Sequence, residues 1–258
     1  MWEVIGASVT GTSHLAARRQ CEDASGWRTE PGLTALAVAD GAGSRPLSGR
    51  GAVQAVERAL QLAGARAAGS AGTDPAEAAA WLRDIFSDVR EQIAAMAASA
   101  GNGPADYATT LAVAILTADT VCIGQVGDTI AVVGQAGTYR TPAPAPHSEY
   151  VNETAFITGE DALRQLRITV LAPAEVDSVI LSTDGLRFKI LDDLASATPY
   201  VPFFDDVTAY ARSPQPSALA IQRFLESLAD QSGDDKSLVV AVRAEWRRAG
   251  GSGADGSS

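Results

Sequence analysis

The 258-residue sequence is poor in cysteine and lysine. Its two cysteines, Cys21 and Cys122, lie far apart and lack the spacing of metal ligands, which argues against a disulfide framework or a zinc site. Lysine occurs only at Lys189 and Lys236, and 31 acidic residues outnumber 20 basic ones to give a formal net charge of -11. This deficit of positive charge argues against a broad basic surface for phosphate backbones. We therefore expect no nucleic-acid partner.

Long apolar runs are absent as well. No segment approaches the roughly 18 consecutive apolar residues of a membrane-spanning helix. The opening residues MWEVIGASVTGTSH do not have the basic segment and apolar stretch of a signal peptide. We expect a soluble cytoplasmic protein that does not bind membranes. With 46% hydrophobic residues the chain can bury a substantial core, and we expect one domain over residues 1–248 followed by a flexible glycine- and serine-rich tail over 249–258.

Apolar segments of strand length recur along the chain. Nearly continuous apolarity over 33–39 predicts a strand that is buried on both faces. Residues 107–135 contain two or three strand-like segments with tight turns at 118–119 and 127–128, which predicts an antiparallel meander. Further strands are predicted within 2–9, 177–185 and 236–246.

Helical spacing of apolar residues marks three other segments. The first helix is expected to begin at Ser48 with this residue as its N-cap. The second has clearer signals, with Asp74 as N-cap and Pro75 at the first helical position, and it is expected to end near Gly101. We expect these two helices to pack as a pair on one sheet face. A third helix is predicted around 221–228.

Consecutive strands with helices added in pairs indicate an α+β layered sandwich rather than a doubly wound sheet. The proline-rich segment over 140–150 is expected to form a surface loop because proline disfavours regular helix.

Aspartates stand at the ends of several predicted strands. Asp40 and Asp184 each follow an apolar run and precede a glycine, Asp234 precedes the last strand, and Asp128 lies in a Gly-Asp turn. Each Asp-Gly pair taken alone is also typical of an ordinary turn. If the strand ends share one edge of the sandwich, the carboxylates converge and repel, and a hard cation would offset that cost. Because no histidine or cysteine cluster accompanies them, an all-oxygen site for Mg²⁺ or Mn²⁺ is predicted.

An ordered set of motifs resembles the metal-dependent serine/threonine protein phosphatases of the 2C type. The resemblance extends from about residue 5 to 243, and the motifs are RRQCEDA (18–24), VADGAGS (38–44), YATTLAVAIL (107–116), IGQVGDT (123–129), LSTDGL (181–186) and DDKSLVVA (234–241). It implies a four-layer α-β-β-α sandwich, with two antiparallel sheets flanked by helix pairs and a binuclear metal site at one end.

The same resemblance implies roles for the strand-end residues. Asp40 matches the aspartate that bridges two metal ions, and Gly41 matches the residue whose backbone carbonyl binds one of them. Asp184 and Asp234 match the other carboxylate ligands, and Asp128 matches an aspartate that helps bacterial relatives hold a third ion. The implied cofactors are two ions of Mg²⁺ or Mn²⁺, or three.

Residues of the first motif match groups that handle water and substrate. Glu22 and Asp23 match an acidic pair that orients metal-bound water, and Arg18 matches the arginine that binds the substrate phosphate. Arg19 is adjacent and is an alternative for this role. Ala42 stands where eukaryotic members often carry a histidine proposed as general acid, so the leaving alcohol must be protonated by another group or turnover is slow.

The last metal-ligand motif contains a second departure. Asp235 replaces the asparagine that commonly follows the last ligand, so an alignment shifted by one residue would exchange the roles of Asp234 and Asp235. We prefer Asp234 because Lys236 and Ser237 then fall in step with the motif.

The expected activity is hydrolysis of phosphoserine and phosphothreonine on proteins through a metal-activated water. The expected partner is a phosphorylated protein, the target of a serine/threonine kinase, and we expect the enzyme to be a monomer. One alternative is a phosphatase fold without activity that binds phosphoproteins. Another is a catalytically weak regulatory phosphatase that serves one dedicated partner.

Overall fold

The computed structural model describes residues 1–67, 74–143, 154–229 and 232–244. The predicted tail over 249–258 and most of the predicted loop over 140–150 lie outside the described residues. None of the described helices has the length and apolar character needed to cross a membrane.

Strands and helices follow one another along the described chain in a mixed order. In chain order they are β1 (Trp2–Val9), α1 (Thr12–Ala16), β2 (Ala24–Glu30), β3 (Leu33–Ala39), α2 (Ser48–Ala67), α3 (Pro75–Ser99), β4 (Leu111–Thr117), β5 (Val121–Val126), β6 (Ile130–Gln135), β7 (Thr138–Arg140), β8 (Arg167–Leu171), β9 (Ser178–Ser182), α4 (Arg187–Ile190), β10 (Leu191–Asp193), β11 (Thr198–Pro199), α5 (Val201–Ala211), α6 (Ala218–Ser227) and β12 (Lys236–Arg243).

Two five-stranded antiparallel sheets form the middle of the molecule. The first sheet has the strand order β1-β12-β9-β6-β7, and the second has the order β2-β3-β4-β5-β8. Helices α5 and α6 pack against the first sheet, whereas α2 and α3 pack together on the second. This arrangement confirms the predicted α-β-β-α sandwich and the predicted pairing of the first two long helices.

Apolar side chains fill the spaces between the four layers. One buried cluster lies between α2, α3 and the second sheet, another lies between the two sheets, and a third lies under α5 and α6. Strand β3 contributes to two of them because successive side chains of a strand point to opposite faces. Its alanines at 35, 37 and 39 face the helices, and Leu36 and Val38 face the other sheet. The prediction of a strand buried on both faces is confirmed.

The prediction of one antiparallel meander over 107–135 is wrong. Strands β4 and β5 do pair, but β6 leaves them and pairs with β9 in the first sheet. The chain crosses between the sheets at Gly127, whose φ of 100° suits glycine and whose close contact with Thr110 leaves no room for a side chain. A Gly-Asp turn specifies a change of direction, but the partner strand is chosen by burial in the tertiary structure.

One of the two predicted N-caps is present in the structure and the other is not. Asp74 accepts a hydrogen bond from the Ala76 N–H and caps α3, and Pro75 is the first helical residue, as predicted. Helix α2 begins at Ser48, but the Ser48 hydroxyl donates to the Glu22 carboxylate and the Arg45 carbonyl instead of capping the helix. Ser48 therefore connects α2 to the segment that precedes β2.

We predict that Phe86→Ala lowers the free energy of unfolding by about 3–5 kcal/mol, because it removes a fully buried ring from the core beneath α3. The Phe86 ring covers Gly124 of β5, where an added Cβ would lie 2.9 Å from it. Urea denaturation measures the change. Leu219→Ala, at a side chain 53% exposed on α6, is the control and should change stability by less than about 0.5 kcal/mol. Equal losses in the two variants would contradict the prediction.

Candidate active site

Three aspartates meet at one end of the first sheet. Strand β9 lies between β6 and β12, and both neighbours are antiparallel to it. The end of β9 is therefore beside the starts of β6 and β12. Asp184 follows β9, Asp128 precedes β6 and Asp234 precedes β12, so these three residues come to the same edge.

Two further aspartates come from the second sheet. Asp40 directly follows β3, and Asp23 directly precedes β2. The two strands are antiparallel, and Ala24 of β2 lies opposite Ala39 of β3. Asp23 and Asp40 therefore occupy neighbouring positions at the end of this sheet.

The electrostatic environment of Asp40 shows that the aspartates of the first sheet and those of the second sheet form one cluster. The pKa of Asp40 is raised to about 10, mainly by burial and in addition by the neighbouring carboxylates of Asp23, Asp184, Asp234 and Asp128. Burial also raises the pKa of Asp184, with a further increase from Asp128. The structure thus brings the carboxylate of Asp40 together with four others, which come from both sheets.

The backbone around Asp40 is fixed by neighbouring strands. The Asp40 N–H donates to the Thr110 hydroxyl oxygen at 2.9 Å, and the Asp40 carbonyl accepts from the Thr110 N–H and the Thr109 hydroxyl, each at 2.9 Å. The Gly41 N–H donates to the Glu22 carbonyl at 3.2 Å. A Cβ at Gly41 would lie only 2.6 Å from that carbonyl oxygen, so residue 41 must be glycine for the two segments to approach.

Asp23 is buried and is hydrogen-bonded to the first sheet. Burial raises its pKa well above the usual range, while the hydrogen bond from the Thr183 hydroxyl at 2.6 Å opposes that increase. The Thr183 hydroxyl oxygen in turn accepts from the Ser237 N–H at 2.9 Å. This chain of hydrogen bonds links Asp23 to the ends of β9 and β12.

Asp235 and Asp234 have different surroundings. The Asp235 carboxylate accepts from the Gly11 N–H at 2.7 Å and the Glu22 N–H at 2.5 Å, and it lies 2.9 Å from Nδ1 of His14. It is buried and occupied by these groups, whereas Asp234 is exposed beside the cluster. Sequence reasoning did not find the His14–Asp235 contact, because no local signal connects residues 221 positions apart.

The two arginines of the first motif also differ. Arg19 pairs with the Glu22 carboxylate and donates to the Gly43 carbonyl at 3.0 Å, and Glu22 accepts a second hydrogen bond from Ser48 at 3.0 Å. Arg18 is exposed with a φ of 55°, and its side chain makes no hydrogen bond or ion pair within the described parts of the chain. Arg19 therefore holds the Glu22 carboxylate, while the Arg18 side chain is exposed to solvent.

Sequence reasoning missed Arg187. Its guanidinium pairs with the Asp184 carboxylate and lies 3.6 Å from that of Asp128, where it offsets part of the increase in the pKa of Asp184. The spacing of three residues between Asp184 and Arg187 on a helical turn was a signal that could have identified this pair.

Within the described residues, no group of three or more histidine, cysteine, aspartate or glutamate side chains is already arranged to hold a metal ion. The contacts above give the reason. Asp184 is turned toward Arg187, Asp23 accepts from Thr183, and Glu22 accepts from Arg19 and Ser48.

Comparison with known families identifies the fold and the enzyme class. Residues 10–226 match the family described as Protein phosphatase 2C. The chain belongs to this family. The resemblance carried by the six motifs is thereby confirmed, and the chain is a protein serine/threonine phosphatase of the 2C type. It is also 31% identical over 261 residues to Serine/threonine-protein phosphatase 3 of Escherichia coli K12, covering 95% of this chain and 99% of the relative.

Solved structures of bacterial proteins have the same fold. Serine/threonine phosphatase Stp1 from Staphylococcus aureus superposes with a TM-score of 0.64 at 19% identity, covering 94% of this chain and 95% of that protein. PppA from Pseudomonas aeruginosa gives a TM-score of 0.63 at 20% identity, covering 93% and 97% of the two chains. At these identities the likeness supports the protein phosphatase 2C fold alone.

We predict that Arg187→Gln destabilises the metal-free phosphatase by about 1 kcal/mol, since it removes a partly exposed counter-charge from Asp184 and Asp128. Such a change lowers Tm by about 2–4 °C in a chain of this size. Thermal unfolding in the presence of EDTA measures it.

Arg164→Gln is the matched control for this prediction. Arg164 also pairs with an aspartate three residues away, Asp161, but its side chain is 86% exposed, so a smaller effect is expected. A Tm of Arg187→Gln equal to or above that of the parent protein would show that the guanidinium does not stabilise the carboxylates.

Proposed function

We propose that this phosphatase hydrolyses phosphoserine and phosphothreonine on proteins with the help of two divalent cations, Mg²⁺ or Mn²⁺, held at the end of the sandwich. The observation that carries the proposal is the convergence of carboxylates from two sheets around Asp40. Carboxylates at such close range repel one another, and cations offset that repulsion while they take part in the chemistry.

The donor set fits hard cations. The candidate ligands are carboxylate oxygens and the Gly41 carbonyl, which are the groups that Mg²⁺ and Mn²⁺ prefer. The nearby imidazole of His14 faces Asp235 through Nδ1, so this nitrogen is not available to a cation. Arg187 provides one positive charge, and it does so at Asp184 and Asp128. Arg167 adds a second guanidinium near Asp128, and these two positive charges are fewer than the five carboxylates.

The ligand assignments are those that the family resemblance implies. We propose that Asp40 would hold both ions and that the Gly41 carbonyl would hold one of them. Asp184 and Asp234 complete the pair, and Asp128 helps to hold a third ion. Asp234 is preferred to Asp235 because Asp234 is exposed beside the cluster, while the Asp235 carboxylate already accepts two backbone N–H groups.

When bound, two such ions lower the pKa of a shared water and offset charge on the phosphoryl oxygens during in-line attack. The chain itself positions water and substrate. Thr183 fixes the Asp23 carboxylate, and Arg19 and Ser48 fix that of Glu22. Both carboxylates can therefore accept hydrogen bonds from water in a constant orientation.

Arg18 is the proposed phosphate-binding residue. A guanidinium presents two parallel N–H groups that match two oxygens of a phosphate. Arg19 is already committed to Glu22 and Gly43, whereas Arg18 makes no side-chain contact of this kind with the described residues. The distinction between the two arginines, which sequence alone left open, therefore favours Arg18. We further propose that the substrates are proteins phosphorylated by a serine/threonine kinase.

We predict that hydrolysis of a phosphothreonine peptide requires Mn²⁺ or Mg²⁺, stops with EDTA and falls about a hundredfold or more in Asp40→Asn. Asparagine retains the size of aspartate and removes the charge, so Asp40→Asn should fold normally by circular dichroism. Asp119→Asn, at an exposed turn between β4 and β5, is the control and should keep full activity.

Two outcomes would contradict this assignment. If Asp40→Asn were as active as the parent, Asp40 would not be a metal ligand. If activity persisted in EDTA, the reaction would not depend on bound cations. Absence of phosphate release from folded protein with either metal would favour the binding module or the dedicated regulator over a general phosphatase.

We predict that Arg18→Ala raises KM for the peptide more than it lowers kcat, since a contact with the phosphate of the substrate acts mainly on binding. Arg19→Ala should instead lower kcat more than it raises KM, because it releases Glu22. Steady-state kinetics at saturating Mn²⁺ measures both. If Arg19→Ala mainly raised KM and Arg18→Ala mainly lowered kcat, Arg19 would be the phosphate-binding residue instead of Arg18.

A further inference from the structure

A cleft of about 420 Å³ opens beside the acidic cluster, at the start of α2. We call it the Arg50 cleft, and its main lining residues are Glu22, Leu47, Arg50, Val53, Gln54 and Met96. Glu22 lies both in this cleft and beside Asp235 and Gly41 in the candidate active site. The cleft therefore adjoins the candidate active site at Glu22.

Helix α2 provides one wall of the Arg50 cleft. Arg50, Val53 and Gln54 are three and four residues apart, so they share one face of the helix. The helix is held against the Glu22 segment at Gly49, where an added Cβ would lie 3.2 Å from the Glu22 Cα. The wall is thus fixed relative to the active site.

The lining combines apolar and polar groups in a way that suits an extended polypeptide. Val53 is 46% exposed and, with Met96 and Leu47, offers apolar surface to side chains. The Gln54 amide can both donate to and accept from a peptide backbone, and it makes no hydrogen bond with the residues that the structure describes.

The cleft contains one carboxylate that is already paired and one exposed cation. The Glu22 carboxylate is paired with Arg19 and Ser48. Arg50 is exposed, and across the described residues it has neither an ion pair nor a hydrogen bond. The Cys21 thiol also lines the cleft, but burial raises its pKa and keeps it protonated. In a chain of net charge -11, Arg50 is thus a cation without a partner at the edge of the active site.

We propose that the Arg50 cleft holds the polypeptide on one side of the phosphorylated residue and that Arg50 selects substrates with an acidic side chain there. The occupant is a segment of the phosphoprotein substrate, because the cleft adjoins the candidate active site at Glu22 and Arg50 carries a charge complementary to an acidic side chain. This inference rests on the proposed function and adds a substrate class to it.

The experiment compares three phosphothreonine peptides of equal length. One has glutamates on the N-terminal side of the phosphothreonine, one has them on the C-terminal side, and the third has glutamine in all of these positions. We expect one of the two acidic peptides to exceed the glutamine peptide by about fivefold in kcat/KM, which is the effect of one exposed ion pair. Only one side should give the gain, and the gain should shrink at high salt.

Two variants identify the residue responsible. Arg50→Glu should lose the preference for the acidic peptide, while Arg223→Glu changes the net charge equally on exposed α6 and should keep it. The affinity of each peptide, measured by fluorescence anisotropy, should follow the same order as kcat/KM.

The outcomes separate this inference from the proposed function. Metal-dependent hydrolysis of all three peptides at equal rates would uphold the function and overturn the role of the cleft. A preference that survives in Arg50→Glu, or that disappears equally in Arg223→Glu, would also overturn it. Absence of hydrolysis of every peptide would refute the proposed function, and equal affinities of the three peptides would then refute the role of Arg50 as well.

Discussion

Carboxylates that approach one another in a partly buried site repel by several kcal/mol, and one end of this sandwich has to accommodate that repulsion. Asp40 lies within the influence of four other aspartates that come from both sheets. Such an arrangement cannot arise from favourable contacts among the carboxylates themselves. It persists because each strand that carries an aspartate is fixed by apolar packing elsewhere, and because a few donors and cations are placed where the charges meet.

Three buried apolar clusters provide this packing. Strand β3 shows the principle, since its side chains enter one cluster on each face and leave Asp40 no freedom to move away from the edge. Glycine at 41 and 185 allows neighbouring segments to approach closely at the site. A Cβ on Gly185, for example, would lie 1.9 Å from the Asp235 carbonyl oxygen. The geometry of the site is therefore a consequence of the hydrophobic core and of the small residues at the strand ends.

Around the cluster, the chain uses its few positive charges in different ways. Arg187 reduces the negative charge at Asp184, Arg19 holds Glu22, and Arg18 and Arg50 remain available to a substrate. His14 joins Asp235, which keeps α1 and the Glu22 segment beside the start of β12. This division separates groups that build the candidate site from exposed groups that have no partner among the described residues.

Local patterns in the sequence determined strands β1, β3, β4, β5, β6, β9 and β12, the two long helices and the layered α+β class, because apolar periodicity and capping residues act over a few positions. Strands β2 and β8 and helix α5 were not predicted. The order of the motifs also determined the family and the set of candidate site residues. The tertiary structure alone decided that β6 joins the first sheet, that Ser48 bonds to Glu22, and that Asp235 is occupied by Gly11, His14 and Glu22. It also decided that Arg19 rather than Arg18 supports the site. These contacts join residues far apart in the chain, and they are chosen by burial and by the need to satisfy buried polar groups, which short-range patterns do not encode.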